Sequence, residues 1–109
     1  MVTINIVRDF TDTPGARYRT EGEYSGQQFR EEFLEKHFAD INSKEEIKII
    51  LDGVEGYATS FLEEAFGGLA RKVRKKKVLS RLKFVSVEDE FLVDEIMSYI
   101  NAKDSKEGI

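Results

Sequence analysis

The chain has 109 residues, 40% of them hydrophobic and 35% charged, with a single proline and no cysteine. That length suits one compact domain, and the missing thiols exclude a disulfide framework, a thiolate metal site and a cysteine nucleophile. Seventeen Lys and Arg against 21 Asp and Glu leave a net charge of −4, which argues against a nucleic-acid binder held by overall charge.

Val2, Ile4 and Ile6 alternate with Thr3, Asn5 and Val7, the period of a strand with one buried face. No basic segment followed by a long apolar run opens the chain, and no stretch approaches transmembrane length, so the expectation is a cytoplasmic protein. Asp12, Thr13, Pro14 and Gly15 form a strong turn signal, after which residues 16–20 are expected to return as the second strand of an antiparallel hairpin. Ser25 and Gln28 then match a capping box. The helix it opens carries Phe29, Phe33, Leu34, His37 and Phe38 on one stripe.

Residues 47–51 are apolar except for Lys48, as in a central strand covered on both faces. A turn of Asp52, Gly53, Val54, Glu55 and Gly56 follows. Ser60 and Glu63 make a second capping box, and Phe61, Leu62, Ala65, Phe66, Leu69 and Val73 share one helical face. The basic segment Arg71, Lys72, Arg74, Lys75, Lys76 and Lys77 reads as the last turn of that helix, where unpaired carbonyls favour cations. Residues 82–87 are a further strand, and Phe91, Leu92, Ile96, Met97, Tyr99 and Ile100 mark a C-terminal helix. The expected architecture is α/β, bordering on α+β: one domain over residues 1–102, a small mixed sheet with flanking helices, an N-terminal antiparallel hairpin and then α-β-α-β-α. A flexible tail is expected over 103–109.

The order of elements, the strand ending at Leu51 and Asp52, and Thr59, Ser60, Phe61, Leu62, Glu63 and Glu64 opening the next helix resemble the STAS-like domains of unknown function. These are relatives of the bacterial anti-sigma factor antagonists, and residues 24–30 support the likeness. The resemblance implies a non-catalytic regulatory domain that docks on a protein partner, commonly a histidine-kinase-like ATPase acting as anti-sigma factor and serine kinase. In the antagonists an Asp-Ser-Ser-Gly-Leu motif precedes the equivalent helix and one serine is phosphorylated. Here Ala58 replaces the acid and Phe61 the glycine, so docking carries over better than phosphorylation.

Chemistry gives the same segment an independent interest, because a phosphate on Thr59 or Ser60 would lie beside unpaired helical amides and present new charge to a partner. Ser60 is read first as an N-cap, a role that can coexist with recognition. The expected partner surface is Asp52, Gly53, Glu55, Gly56, Tyr57, Thr59, Ser60, Glu63 and Glu64. The alternative is a nucleic-acid accessory domain that uses the basic segment 71–77. His37 lacks a second histidine or a cysteine to make a metal site, the carboxylates of Asp52, Glu55, Glu63 and Glu64 are a weak Mg²⁺ set, and no cofactor is expected. Gly67 and Gly68 lie inside a helix without a phosphate-loop lysine pattern, which points to close packing.

Overall fold

A computed structural model describes residues 1–102; the tail 103–109 lies outside the described residues. Strands β1 (Val2–Asn5), β2 (Ile47–Ile50) and β3 (Leu82–Val85) form one sheet in the order β1-β2-β3, parallel throughout. Five helices accompany them: the single turn α1 (Ile6–Asp9), α2 over residues 26–38, α3 over residues 59–73, α4 (Lys75–Arg81) and α5 (Glu90–Asn101). The class is α/β, as the alternation of patterns predicts.

Two details of the expected sheet are corrected. The antiparallel hairpin does not form among the described residues, because the chain leaves β1 at once: the Asn5 side chain accepts from the Arg8 amide at 3.2 Å and caps α1. Residues 16 and 17, expected to pair with β1, instead spend their carbonyls on the start of α2, Ala16 accepting from Gly26 N at 2.8 Å and Arg17 from Gln27 N at 3.0 Å. They satisfy orphan amides of a helix, which a pairing partner in a sheet could not do. Secondly, β2 is central but covered on one face only. Ile47 and Ile49 are fully buried, whereas Lys48 and Ile50 are half-exposed, and Thr3 and Lys83 beside Lys48 are exposed.

Helix α2 starts as its sequence requires. The Ser25 hydroxyl accepts from Gln28 N at 3.0 Å, while the Gln28 side chain reaches back to Tyr24 N at 3.1 Å, one residue before the cap itself. Phe29, Leu34 and Phe38 are buried, and His37 is half-buried at the margin. Both α2 and α3 widen into a π-type turn at mid-length, over Arg30–Leu34 and Glu63–Gly67. The two helices cross in close contact: a Cβ on Gly26 would sit 2.5 Å from the Phe61 carbonyl oxygen. Around that crossing Phe29, Phe61 and Phe66 are fully buried, with the Phe10 ring 5.2 Å from Phe29 and Phe84 5.3 Å from Phe66. No helix among the described residues is long and apolar enough to cross a membrane.

Candidate interaction surface

The carboxyl end of β2 leads into a turn that is fastened to the end of β3. The Asp52 carboxylate accepts from Val87 N at 3.0 Å and Glu88 N at 2.8 Å, and Glu88 returns the contact by accepting from Gly53 N at 2.7 Å. Gly53 has φ 94° and a Cβ there would fall 2.9 Å from Val7 Cγ1, so both conformation and space demand glycine. The Tyr57 hydroxyl donates to the Leu51 carbonyl at 2.8 Å. Burial, and after it the charges of Asp52 and Glu88, push the Tyr57 phenol far above its ordinary pKa, which keeps it a donor. Between the two fastened turns opens a cleft of about 410 Å³, its walls carrying Asp52, Glu55, Glu88, Asp89 and Glu95 together with Val54, Tyr57 and Leu92. It lies outside the carboxyl ends of parallel strands, the usual position for a binding crevice in an open α/β sheet.

Helix α3 begins beside this cleft. Its N-cap is Ala58, Thr59 is the first helical residue, and no side chain caps the first turn. The expected N-cap role of Ser60 is therefore corrected: the chain enters the helix two residues early, with Ala58 at the cap, so Ser60 lies inside the first turn as its second helical residue. Thr59 is exposed and its hydroxyl contacts the Tyr99 phenol, which itself donates to Glu95 Oε2 at 2.6 Å. The hydrogen bond to Glu95 raises the phenol's pKa, and the one from Thr59 opposes it. Ser60 is half-exposed and makes no side-chain hydrogen bond among the described residues.

Glu63 and Glu64 face elsewhere than the capping box implies. Glu63 is held between Arg17 and Arg71, with Arg71 Nη1 at 2.6 Å, and the hydrogen bond from Arg71 is the main reason its carboxyl lies below the usual range. Glu64 is buried and paired with Arg30, whose Nε also binds Glu35 at 2.8 Å. A buried carboxylate already matched by a guanidinium has no free face for a partner, so Glu64 is removed from the expected surface and becomes a brace between α2 and α3. The four carboxylates weighed as a cation set are thus divided between cleft and brace, and no group of three or more His, Asp or Glu among the described residues could hold a metal ion.

Gly67 and Gly68 serve the brace. A Cβ at Gly68 would lie 2.7 Å from Arg30 Nη1, and one at Gly67 would lie 3.3 Å from the Tyr99 carbonyl, which accounts for glycine inside a helix. The basic segment is divided as well. Arg71 pairs with Glu63 and Lys72 Nζ lies 3.5 Å from Glu35, while Arg74, at φ 94°, breaks the chain between α3 and α4. Lys75, Lys76 and Lys77 therefore open α4; they do not close α3, and the helix-end carbonyls expected to favour them are not theirs. For His37, burial and then the Lys36 charge lower the pKa and favour the neutral ring.

The sequence pattern did not single out Glu88, Glu95 and Tyr99 as parts of this surface. The available signal was the acidic run 88–90 directly after a predicted parallel strand, the position from which a crevice wall is built.

A family model described as a STAS-like domain of unknown function matches residues 25–91, more than half of the chain. The chain belongs to that family. No curated protein and no solved structure matches it. The match runs from the Ser25 cap through β2, α3 and β3 to the first turn of α5, so it spans both fastened turns of this STAS-like domain and the start of α3.

Proposed function

We propose that this STAS-like domain is a non-catalytic, cytoplasmic regulatory module. It docks on a protein partner, a histidine-kinase-like ATPase of the anti-sigma type, through Asp52, Gly53, Glu55, Gly56, Tyr57, Thr59, Ser60 and Glu63. The supporting observation is the start of α3: an exposed Thr59 and a half-exposed Ser60 on a helical turn that no side chain caps, beside a turn fastened by hydrogen bonds to its neighbour. A rigid, preorganised rim with free amides suits reversible recognition better than bond-making.

Phosphorylation is the proposed switch, and the surroundings of the two hydroxyls differ in what they permit. A phosphate on Thr59 would meet the carboxylates of Glu95 and Glu63 around Tyr99. Ser60 has no such engagement and is the better acceptor, since added charge there answers the amides of the first turn.

Titration calorimetry with the histidine-kinase-like ATPase of the source organism tests this. A stoichiometric complex is expected, unchanged in Ser60→Ala and weakened roughly tenfold or more in Ser60→Glu, with ATP-dependent incorporation of phosphate abolished by Ser60→Ala. Absence of any complex under both phosphorylating and dephosphorylating conditions overturns the proposal. Salt-sensitive retention on RNA or DNA that disappears when Lys75, Lys76 and Lys77 are neutralised would put the nucleic-acid function in its place.

A further inference from the structure

The carboxyl end of the sheet is acidic, the groove at its amino end is net basic, and each end has an exposed apolar feature. At the carboxyl end Val87, in the turn after β3, and Phe91, in the first turn of α5, are 84% and 72% exposed among Glu88, Asp89 and Glu90. The helix buries Leu92, Ile96 and Ile100, so Phe91 lies off its packed face and contributes nothing to the core. At the amino end, where the chain is about to enter β2 and β3, a groove of about 390 Å³ runs between Phe38, Asp40, Ile41, Ser43 and Lys44 on one side and Lys77, Ser80 and Arg81 on the other, three cations against one carboxylate. Its floor is prepared: the Arg81 guanidinium stacks 4.5 Å over the Phe38 ring and is fixed by the Glu45 carbonyl at 2.9 Å. Ile41 stands at its edge, 73% exposed.

We infer that the Phe91 end of one copy docks into the Phe38–Ile41 groove of a second copy of this chain. Both occupant and receptor are present on one molecule: an aromatic anchor ringed by carboxylates, and an apolar groove where Lys44, Lys77 and Arg81 outnumber the single carboxylate of Asp40. Opposite charge around an apolar centre is the arrangement that orients a specific contact. Because the strands are parallel, knob and groove lie at opposite ends of the sheet, so the contact is heterologous. One docking leaves a free knob and a free groove, and growth continues as an open chain. Docking also brings the neighbour against the acidic cleft, so self-association and partner binding compete for the same end of the molecule. The inference itself stands independently of that partner.

Sedimentation velocity on the full 109-residue chain tests it, from dilute protein up to about 1 mM, a range that reaches weak contacts. At about 0.05 M salt the weight-average mass is expected to rise continuously with concentration without a plateau at two copies, and at about 0.5 M salt to return to the monomer. Phe91→Ala removes the knob and Lys77→Glu reverses the charge at the groove; both positions lie outside the core, so each variant folds and each alone stays monomeric. Mixed, the intact groove of the first receives the intact knob of the second, giving a 1:1 pair that grows no further. A wild-type chain that remains monomeric at low salt and high concentration, a closed dimer indifferent to both substitutions, or a mixture that does not pair would overturn the inference. A groove that serves a segment of another protein predicts the first of those results.

Discussion

The crossing of α2 and α3 and the carboxyl end of the sheet are both rich in acidic residues, yet they are built on opposite terms. At the crossing every carboxylate has a cation: Glu64 with Arg30, Glu35 with Arg30 and Lys72, Glu63 with Arg17 and Arg71. Around the cleft, Asp52, Glu55, Glu88, Asp89 and Glu95 face one another, and no Lys or Arg lines the walls. Paired charges in a low-dielectric setting hold one geometry at the cost of desolvation. Unpaired like charges at the surface keep their hydration and raise the local potential, ready for something cationic to arrive. The same residue type is thus mortar in one place and a recognition surface in the other.

Substitutions separate the two regions most clearly where the effects are largest. Glu64→Ala, which takes from the Arg30 guanidinium its buried partner and leaves it Glu35, is expected to cost about 3 kcal/mol in urea unfolding, and a joint Arg30→Met, Glu64→Leu replacement to recover most of it. Full stability in Glu64→Ala would show that the brace is not buried in solution. Asp52→Ala releases two backbone amides of the 86–89 turn and should cost about 2 kcal/mol, with hydrogen exchange rising at Val87 and Glu88 and not at the α2–α3 crossing. Exchange that rises everywhere would erase the distinction between a local fastening and a global one.

Acidification comes next in size. The carboxyl of Glu63 lies below its unfolded value, so its contribution is complete above the usual glutamate pKa and is lost as pH falls through the lowered one. The stability of Glu63→Gln should therefore fall less on the acid side than that of the wild type, as measured by thermal unfolding across the pH range. An unchanged acid limb would mean that Glu63 is not ion-paired in solution. Arg74→Gly is expected to stabilise by about 1 kcal/mol through relief of a left-handed backbone, read as a higher midpoint temperature. Smallest of all, Ser60→Ala should stay within about 0.5 kcal/mol of wild type. A loss of about 1 kcal/mol would reinstate the capping role that the structure removes from Ser60.

The elements with strong periodicity were legible in the sequence: the Ser25 cap and the Phe29, Leu34, Phe38 stripe of α2, the Ile47 and Ile49 strand, the apolar face of α3 from Phe61 to Leu69, and the final helix. What could not be read depends on contacts distant in sequence. Residues 16–20 look like a returning strand because proline and glycine mark a turn, but the amides at the start of α2 are stronger claimants for the Ala16 and Arg17 carbonyls. The break at Arg74 was hidden because arginine gives no glycine-like warning of a positive φ. In the surface, Asp52, Gly53 and Tyr57 were legible from turn chemistry next to a buried strand. Glu88, Tyr99 and Arg17 were not, since each joins through a contact 35 or more residues away in the chain, one that only packing creates.

The reciprocal fastening of Asp52 to the 87–88 backbone and of Glu88 to Gly53 N has a mechanical corollary. Loops after adjacent parallel strands ordinarily sway independently, each tethered by its own strand alone. Here three hydrogen bonds lace the turns at 52–53 and 87–88 into a single rim, so neither turn can move away from the other without giving up contacts that both of them need.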